Sequence, residues 1–122
     1  MKNDIMIVVD DDKISRMLPG VLLRPYGMVV IECDSGFEAL KIIGTHHVSY
    51  MLIDISMPNI SGIDLLKIIS ARSKYSKIQL VAYTADSKLG EDNFFEKLGF
   101  DHLLIKPITA SDLLGVIGLS AI

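Results

Sequence analysis

The chain of 122 residues is half hydrophobic, with a formal net charge of −3 and one cysteine, Cys33. Its length sits within the commonest domain size of about 100–150 residues, which predicts one domain over residues 1–122, and a mean hydropathy of +0.43 supplies a core that needs no staples. The acidic balance speaks against nucleic-acid or membrane partners, and a lone cysteine excludes an internal disulfide or a cysteine-rich zinc site. No apolar run approaches the roughly 20 residues of a membrane span, and Asp4 breaks any secretory signal, so a reducing cytosolic setting is expected.

Ile5 to Val9 is a β-branched run that ends in Asp10, Asp11 and Asp12, which predicts a buried strand with acids at its carboxyl end. Asp11 or Asp12 should cap the helix that follows. In that helix Ile14, Met17, Leu18, Val21, Leu22 and Pro25 share helical spacing and predict one apolar face. The phase runs unbroken across Pro19, so a single kinked helix is expected, not two elements.

Met28 to Cys33 reads as a second strand, and Ser35 with Glu38 has capping-box spacing for a helix to about Gly44. Tyr50 to Asp54 is a short apolar run without alternation, as suits a parallel strand covered on both faces. Ser61 opens a third helix carrying Ile63, Leu66 and Ile69. Ile78 to Tyr83 forms a fourth strand ending at Thr84, and a fourth helix should run from Asp86 or Ser87 to before Gly99. Leu103 to Ile105 is the fifth strand, and Thr109 with Asp112 makes a capping box for a fifth helix. Five alternating strand–helix units imply an α/β fold, a parallel sheet with helices on both faces. The flavodoxin-like order 2-1-3-4-5 is expected, which brings the carboxyl ends of strands one, three, four and five to one rim.

That rim gathers Asp10 and Asp11, Asp54, Thr84 and Lys106. Crowded carboxylates resist joint ionisation unless a cation sits among them. Oxygen ligands with room for water suit Mg²⁺. A lysine and a hydroxyl beside a metal-bound carboxylate make a site for a tetrahedral dianion, and Asp54 can itself be the nucleophile that carries it. Each residue also has a bland role: helix cap for Asp10 or Asp11, backbone-bonded hydroxyl for Thr84, surface lysine for Lys106. Their joint register at strand ends favours the site.

Val8-Val9-Asp10-Asp11-Asp12, Asp54-Ile55-Ser56-Met57-Pro58 with Gly62 beyond, Thr84-Ala85 and Lys106-Pro107 together resemble the receiver domain of two-component response regulators, over essentially all of residues 5–120. The resemblance implies a (βα)5 three-layer sandwich. It implies Asp54 as phosphoacceptor and Mg²⁺ held by Asp10, Asp11, Asp54 and the Ser56 carbonyl. Thr84 would bond a phosphoryl oxygen and Lys106 would pair with the phosphoryl charge. Partners implied are a sensor histidine kinase or a histidine phosphotransfer protein, and an effector or kinase domain fused outside these residues or a homodimer is compatible with it.

Three positions depart from the pattern. Leu103 stands where the family commonly has Tyr or Phe, Tyr83 stands where an aliphatic residue is usual, and Pro19 interrupts the first helix, where relatives often meet kinases. From Leu113 to Ile122 the last helix carries no charge, so an apolar outer face is expected there. Two other classes compete with the switch. One is a receiver-like module that works without phosphorylation. The other is a haloacid-dehalogenase-type phosphatase using Asp10, although the residues that usually follow that aspartate are missing. His46, His47 and His102 have no ligand spacing with the acids and are read as structural or solvent-facing.

Overall fold

The computed structural model describes residues 4–118. Its five parallel strands are β1 (Ile5–Val9), β2 (Val29–Cys33), β3 (Tyr50–Asp54), β4 (Gln79–Thr84) and β5 (His102–Ile105), in the order β2-β1-β3-β4-β5. β3 is therefore the central strand, with Asp54 as its last residue. The helices are α1 (Lys13–Leu23), α2 (Gly36–Ile43), α3 (Gly62–Ser70), α4 (Phe94–Leu98) and α5 (Ala110–Ile117). This is the flavodoxin-like order expected from the alternation.

Strand alternation sorts the core into two layers. Ile7, Val9, Met51, Ile53, Leu80 and Ala82 face one way, against Ala39 and Ile43 of α2 and Leu65, Leu66 and Ile69 of α3. Met6, Val8, Leu52, Val81, Tyr83 and Leu104 face the other way, against Leu23 at the end of α1 and Leu113, Leu114 and Ile117 of α5. Runs such as Met51-Leu52-Ile53 lack alternation because both faces of this sheet are covered.

The helix starts follow local chemistry. The Asp12, Ser35, Ser61 and Thr109 side chains each accept an N–H in the first turn of α1, α2, α3 and α5. Thr109 and Asp112 complete a reciprocal capping box. Ser35 and Glu38 do not, because the Glu38 carboxylate reaches one residue further back, to the Asp34 N–H at 3.1 Å.

Three sequence expectations need correction. The fourth helix is not one helix. Ser87–Asn93 is a tight 3-10 segment broken at Glu91 and Asp92, and only Phe94–Leu98 is α-helical. Gly90, Asp92 and Asn93 are poor helix formers, and Asp92 and Asn93 adopt left-handed backbone at φ 51° and 54°. The expected apolar face of α1 is only partly core: Leu18 and Leu22 pack half-buried against the core, but Ile14 is 78% and Val21 62% exposed, Met17 is exposed as well, and full burial falls on Pro19, Gly20 and Leu23. Pro25 lies outside α1, in a 3-10 turn. Lastly, over 113–118 the chain buries Leu113, Leu114 and Ile117, half-buries Val116 and presents only Gly115 and Gly118 to solvent. The outer face of α5 is thus not an apolar patch among the described residues, and the expected continuation over 119–122 lies outside them.

α1 does run through Pro19 as one element. Proline has no N–H, so the carbonyl four residues earlier, that of Ser15, loses its helical donor. The Tyr83 hydroxyl donates to that carbonyl at 2.9 Å.

One glycine is required by close approach. A Cβ on Gly62 would lie 2.2 Å from the Asp54 carbonyl oxygen and 2.7 Å from the Ile55 Cα, both backbone atoms. The Gly62 N–H donates to the Ile55 carbonyl at 3.0 Å, which draws the start of α3 against the end of β3. Gly62→Ala is expected to destabilise the chain by about 1–3 kcal/mol through overpacking. In urea the midpoint should fall with the slope unchanged; an unchanged midpoint would show that this junction yields freely.

Candidate functional site

Parallel strands bring their carboxyl ends to one rim, and the sequence loads that rim with charge. Asp10 follows β1, Asp54 ends β3 and pairs in register with Tyr83 of β4, Thr84 ends β4 beside Ile105, and Lys106 follows β5. The adjoining Lys106–Pro107 peptide is cis.

Asp10 is fully buried. Its Oδ1 accepts the Asp12 N–H at 2.9 Å and its Oδ2 accepts from Lys106 Nζ at 2.7 Å. The Asp10 backbone carbonyl accepts from the Arg16 guanidinium at 3.0 Å, and Arg16 in turn faces Glu32 at 3.8 Å. Asp54 is buried too; its Oδ1 accepts the Ser56 N–H at 3.4 Å and lies 3.8 Å from Lys106 Nζ. Thr84 is buried and its Oγ1 accepts the Asp86 N–H at 3.1 Å, a bond that leaves its own proton unspent. Ser56 lies on the exposed loop just past β3.

Carboxylate oxygens of Asp10, Asp11 and Asp54 all lie within 4.8 Å of one another. Burial first, and the charge of Asp10 second, push the Asp54 carboxyl up to about 7, against the pull of Lys106 and the Ser56 N–H. Three clustered hard oxygen donors, with Asp54 among them held back from ionising, fit a small divalent cation, which relieves the crowding. Asp12 is separate from this set: it caps α1, and the Ser15 N–H holds its carboxyl below the ordinary value.

Two contacts here were not legible in sequence. Lys106 Nζ sits 4.6 Å from the centre of the Tyr83 ring, and Arg16 holds the Asp10 carbonyl. Tyr83 stood out only as an aromatic in an unusual place, and nothing in the spacing marked Arg16.

A sequence profile of the response regulator receiver domain matches residues 6–118. The chain belongs to this family. The receiver is 30% identical over 117 residues to protein PilG of Pseudomonas aeruginosa, covering 92% of this chain and 83% of PilG. It is 28% identical over 110 residues to the CAI-1 autoinducer sensor kinase/phosphatase CqsS of Vibrio cholerae, covering 89% of this chain but only 16% of that protein. Among solved structures, chemotaxis protein CheY4 of Vibrio cholerae superposes with a TM-score of 0.85 at 22% identity, over 95% of this chain and 97% of that one. The Francisella response regulator 1452 receiver domain superposes at 0.81 with 27% identity, over 94% of each chain. Receiver domains of two-component systems are signalling domains, and this fold serves both as most of a chain and as a small part of a long one.

Leu103 of this receiver is half-buried against the Ile53 layer of the core. Its Cδ2 lies 3.4 Å from where a Cβ on Gly90 would sit, beneath the broken segment before α4. The histidines stay apart from the acids: His46 Nδ1 meets Thr45 Oγ1 at 2.9 Å and His102 Nε2 meets Gln79 Oε1 at 3.0 Å. No helix among the described residues is long and apolar enough to cross a membrane.

The raised Asp54 value sets a pH dependence with a definite sign. Its folded value of about 7 lies above the ordinary aspartate value of about 3.9. The folded state then holds a proton that the unfolded chain has released, so its stability falls as pH rises from about 4 to about 7. In metal-free buffer Asp54→Asn should lack this fall and be the more stable chain at pH 8, by about 1–3 kcal/mol. Urea titrations of both chains at pH 5 and pH 8 measure the difference; identical pH slopes would show that Asp54 ionises normally.

Proposed function

We propose that residues 1–122 form one receiver domain that takes a phosphoryl group onto Asp54 from a phosphohistidine on a sensor kinase or histidine phosphotransfer protein, in a Mg²⁺-dependent reaction. The observation that carries this reading is the Lys106 ammonium set between Asp10 and Asp54 at the end of the central strand. A charge that already spans two carboxylates is placed to meet a third anionic group arriving at Asp54.

An Asp54 carboxylate oxygen attacks phosphorus as the phosphorus–nitrogen bond to the donor imidazole breaks. The bonding pair leaves on that nitrogen, and Asp54 becomes an acyl phosphate. Water later attacks phosphorus, the bond to the Asp54 oxygen breaks, and inorganic phosphate departs. Asp10, Asp11, Asp54 and the Ser56 carbonyl would hold Mg²⁺, which when bound would supply positive charge to offset that on the transferring group. Lys106 exchanges a carboxylate partner for a phosphoryl oxygen, and the unspent proton of Thr84 donates to another.

Asp10 is poorly suited to be the nucleophile of a phosphatase. It is fully buried, whereas Asp54 keeps 8% exposure. The exposed stripe of Ile14, Met17 and Val21 on α1, beginning close after the acids, suits the phosphohistidine donor. A fused effector or kinase would lie outside these residues, as the small share of CqsS covered illustrates for that protein. A cytoplasmic site of action and a homodimeric state are compatible with this reading.

Acetyl phosphate with Mg²⁺ is expected to add one phosphoryl group, seen by intact mass spectrometry and absent in Asp54→Asn. Equal modification of that variant would overturn the assignment. Lys106→Ala should leave Mg²⁺ affinity intact or tighter, since a competing cation is gone. It should slow phosphorylation about 10–100-fold, the worth of a charge-assisted hydrogen bond. Mg²⁺ titration beside the rate separates the two effects; a normal rate would leave Lys106 only a structural partner of Asp10.

A further inference from the structure

We propose that Tyr83, fixed through the Ser15 carbonyl that Pro19 leaves free, is a positioning residue for Lys106. Tyr83 points into the layer of the core that faces α1 and α5, 1% exposed. Its backbone is held in β4, paired with Asp54 on one side and Leu104 on the other. Its far end is held as well, because the hydroxyl donates to the Ser15 carbonyl at 2.9 Å. A ring tethered at both ends has a defined face, and Lys106 Nζ lies 4.6 Å from its centre.

The tether exists because of a second unusual residue. In an uninterrupted helix the Ser15 carbonyl would accept from the N–H of residue 19. Pro19 has none, so the carbonyl is open to a side chain from the sheet. Two departures from the family pattern, Pro19 in α1 and Tyr83 in β4, thus meet at one oxygen.

Lysine is a point charge on a long, freely rotating stem. The two carboxylates attract it from the rim, and the ring face attracts it from the core side. Attraction to a ring face has no single required direction. Lys106 can therefore trade a carboxylate for a phosphoryl oxygen while staying on the ring, whereas a hydrogen bond to a fixed carbonyl would have to break. This role rests on the reading of Asp54 as phosphoacceptor, but the placement of Lys106 is observable without phosphorylation.

The first test is NMR of the metal-free chain with isotope-labelled lysine. The ring should displace the Lys106 ε-methylene protons upfield in the parent, and the displacement should vanish in Tyr83→Leu. Tyr83→Phe keeps the ring but loses the tether, so the displacement should shrink. Adding Pro19→Ala to Tyr83→Phe should restore stability by giving Ser15 a backbone donor, yet not restore the displacement. Ordinary lysine shifts in the parent, or a displacement that Tyr83→Phe leaves whole, would overturn the proposal.

The second test is a double-mutant cycle on the rate of acetyl phosphate labelling. Tyr83→Leu should slow the reaction about tenfold when Lys106 is present. In a Lys106→Met background the same change should cost less than about twofold, the scatter of independent sites. Equal losses in both backgrounds would make Tyr83 a packing residue and overturn the proposal. A parent that takes no phosphoryl group would refute the phosphoacceptor reading, and the lysine spectra would still decide the placement of Lys106. Should Tyr83→Leu fail to fold, Tyr83→Phe carries both tests.

Discussion

The constraint on which this structure turns is a charge imbalance at the end of β3. Asp10 and Asp54 are both withdrawn from solvent, and the single ammonium of Lys106 lies 2.7 Å from one and 3.8 Å from the other. One cation cannot neutralise two carboxylates, and Asp11 adds a third within 4.8 Å. Burying such a set costs free energy unless partners compensate. The protein answers with Lys106, with N–H groups of Asp12 and Ser56, and with Asp54 holding its proton to about pH 7. The set is left with a residual deficit of positive charge. The strand order sets this arrangement, because β1 and β4 flank β3 and deliver Asp10 and Thr84 to either side of Asp54.

Most of the scaffold was legible because it rests on local chemistry. Strand runs without alternation announced a two-sided sheet, and Ser61 and Thr109 announced helix starts with a side-chain oxygen three residues before a needed N–H. What failed was inference from periodicity alone. The α1 stripe has helical spacing, but spacing does not say which side faces the sheet. The core side took Leu18 and Leu22 from that stripe but is centred on Pro19, Gly20 and Leu23, where Gly20 also admits the Arg24 guanidinium: a Cβ there would lie 2.5 Å from one of its nitrogens. Arg24 uses that position to reach the Val30 carbonyl at 2.9 Å. The fourth helix failed for the opposite reason. Its caps were sound at both ends, but Gly90, Asp92 and Asn93 lower the propensity between them until the backbone breaks.

At the rim the sequence identified the residues that carry formal charge or a hydroxyl, since each sits immediately at a strand end. It gave no access to contacts made across the sheet. Tyr83 and Lys106 are 23 positions apart, and Tyr83 and Ser15 are 68 apart. Neither contact leaves a local pattern. The cue that did exist was a pair of anomalies: a proline in mid-helix, which must orphan a carbonyl, and a buried tyrosine, whose hydroxyl must find an acceptor. Each anomaly poses a hydrogen-bonding deficit, and the two deficits cancel.

The two layers of the core offer the rim two ways to affect the rest of the molecule. Thr84 follows the alternation of Ala82, toward the layer where Leu103 underlies Gly90 and the broken segment ahead of α4. Leu103 is only half-buried there and has no hydroxyl with which to exchange partners. Tyr83 follows Val81 into the other layer and is rigidly bounded, by β4 at its base and by the Ser15 carbonyl at its tip. Lys106 is thus linked to α1 by way of one fully buried ring, while Thr84 shares its layer with a segment of low helical propensity. Packed interiors transmit displacement where they are dense and tethered, and absorb it where they are not. In this receiver the denser route leads to α1, the helix that also carries the exposed Ile14, Met17 and Val21. A partner seated on that stripe would touch the helix that the Tyr83 hydroxyl ties to the strand beside Asp54.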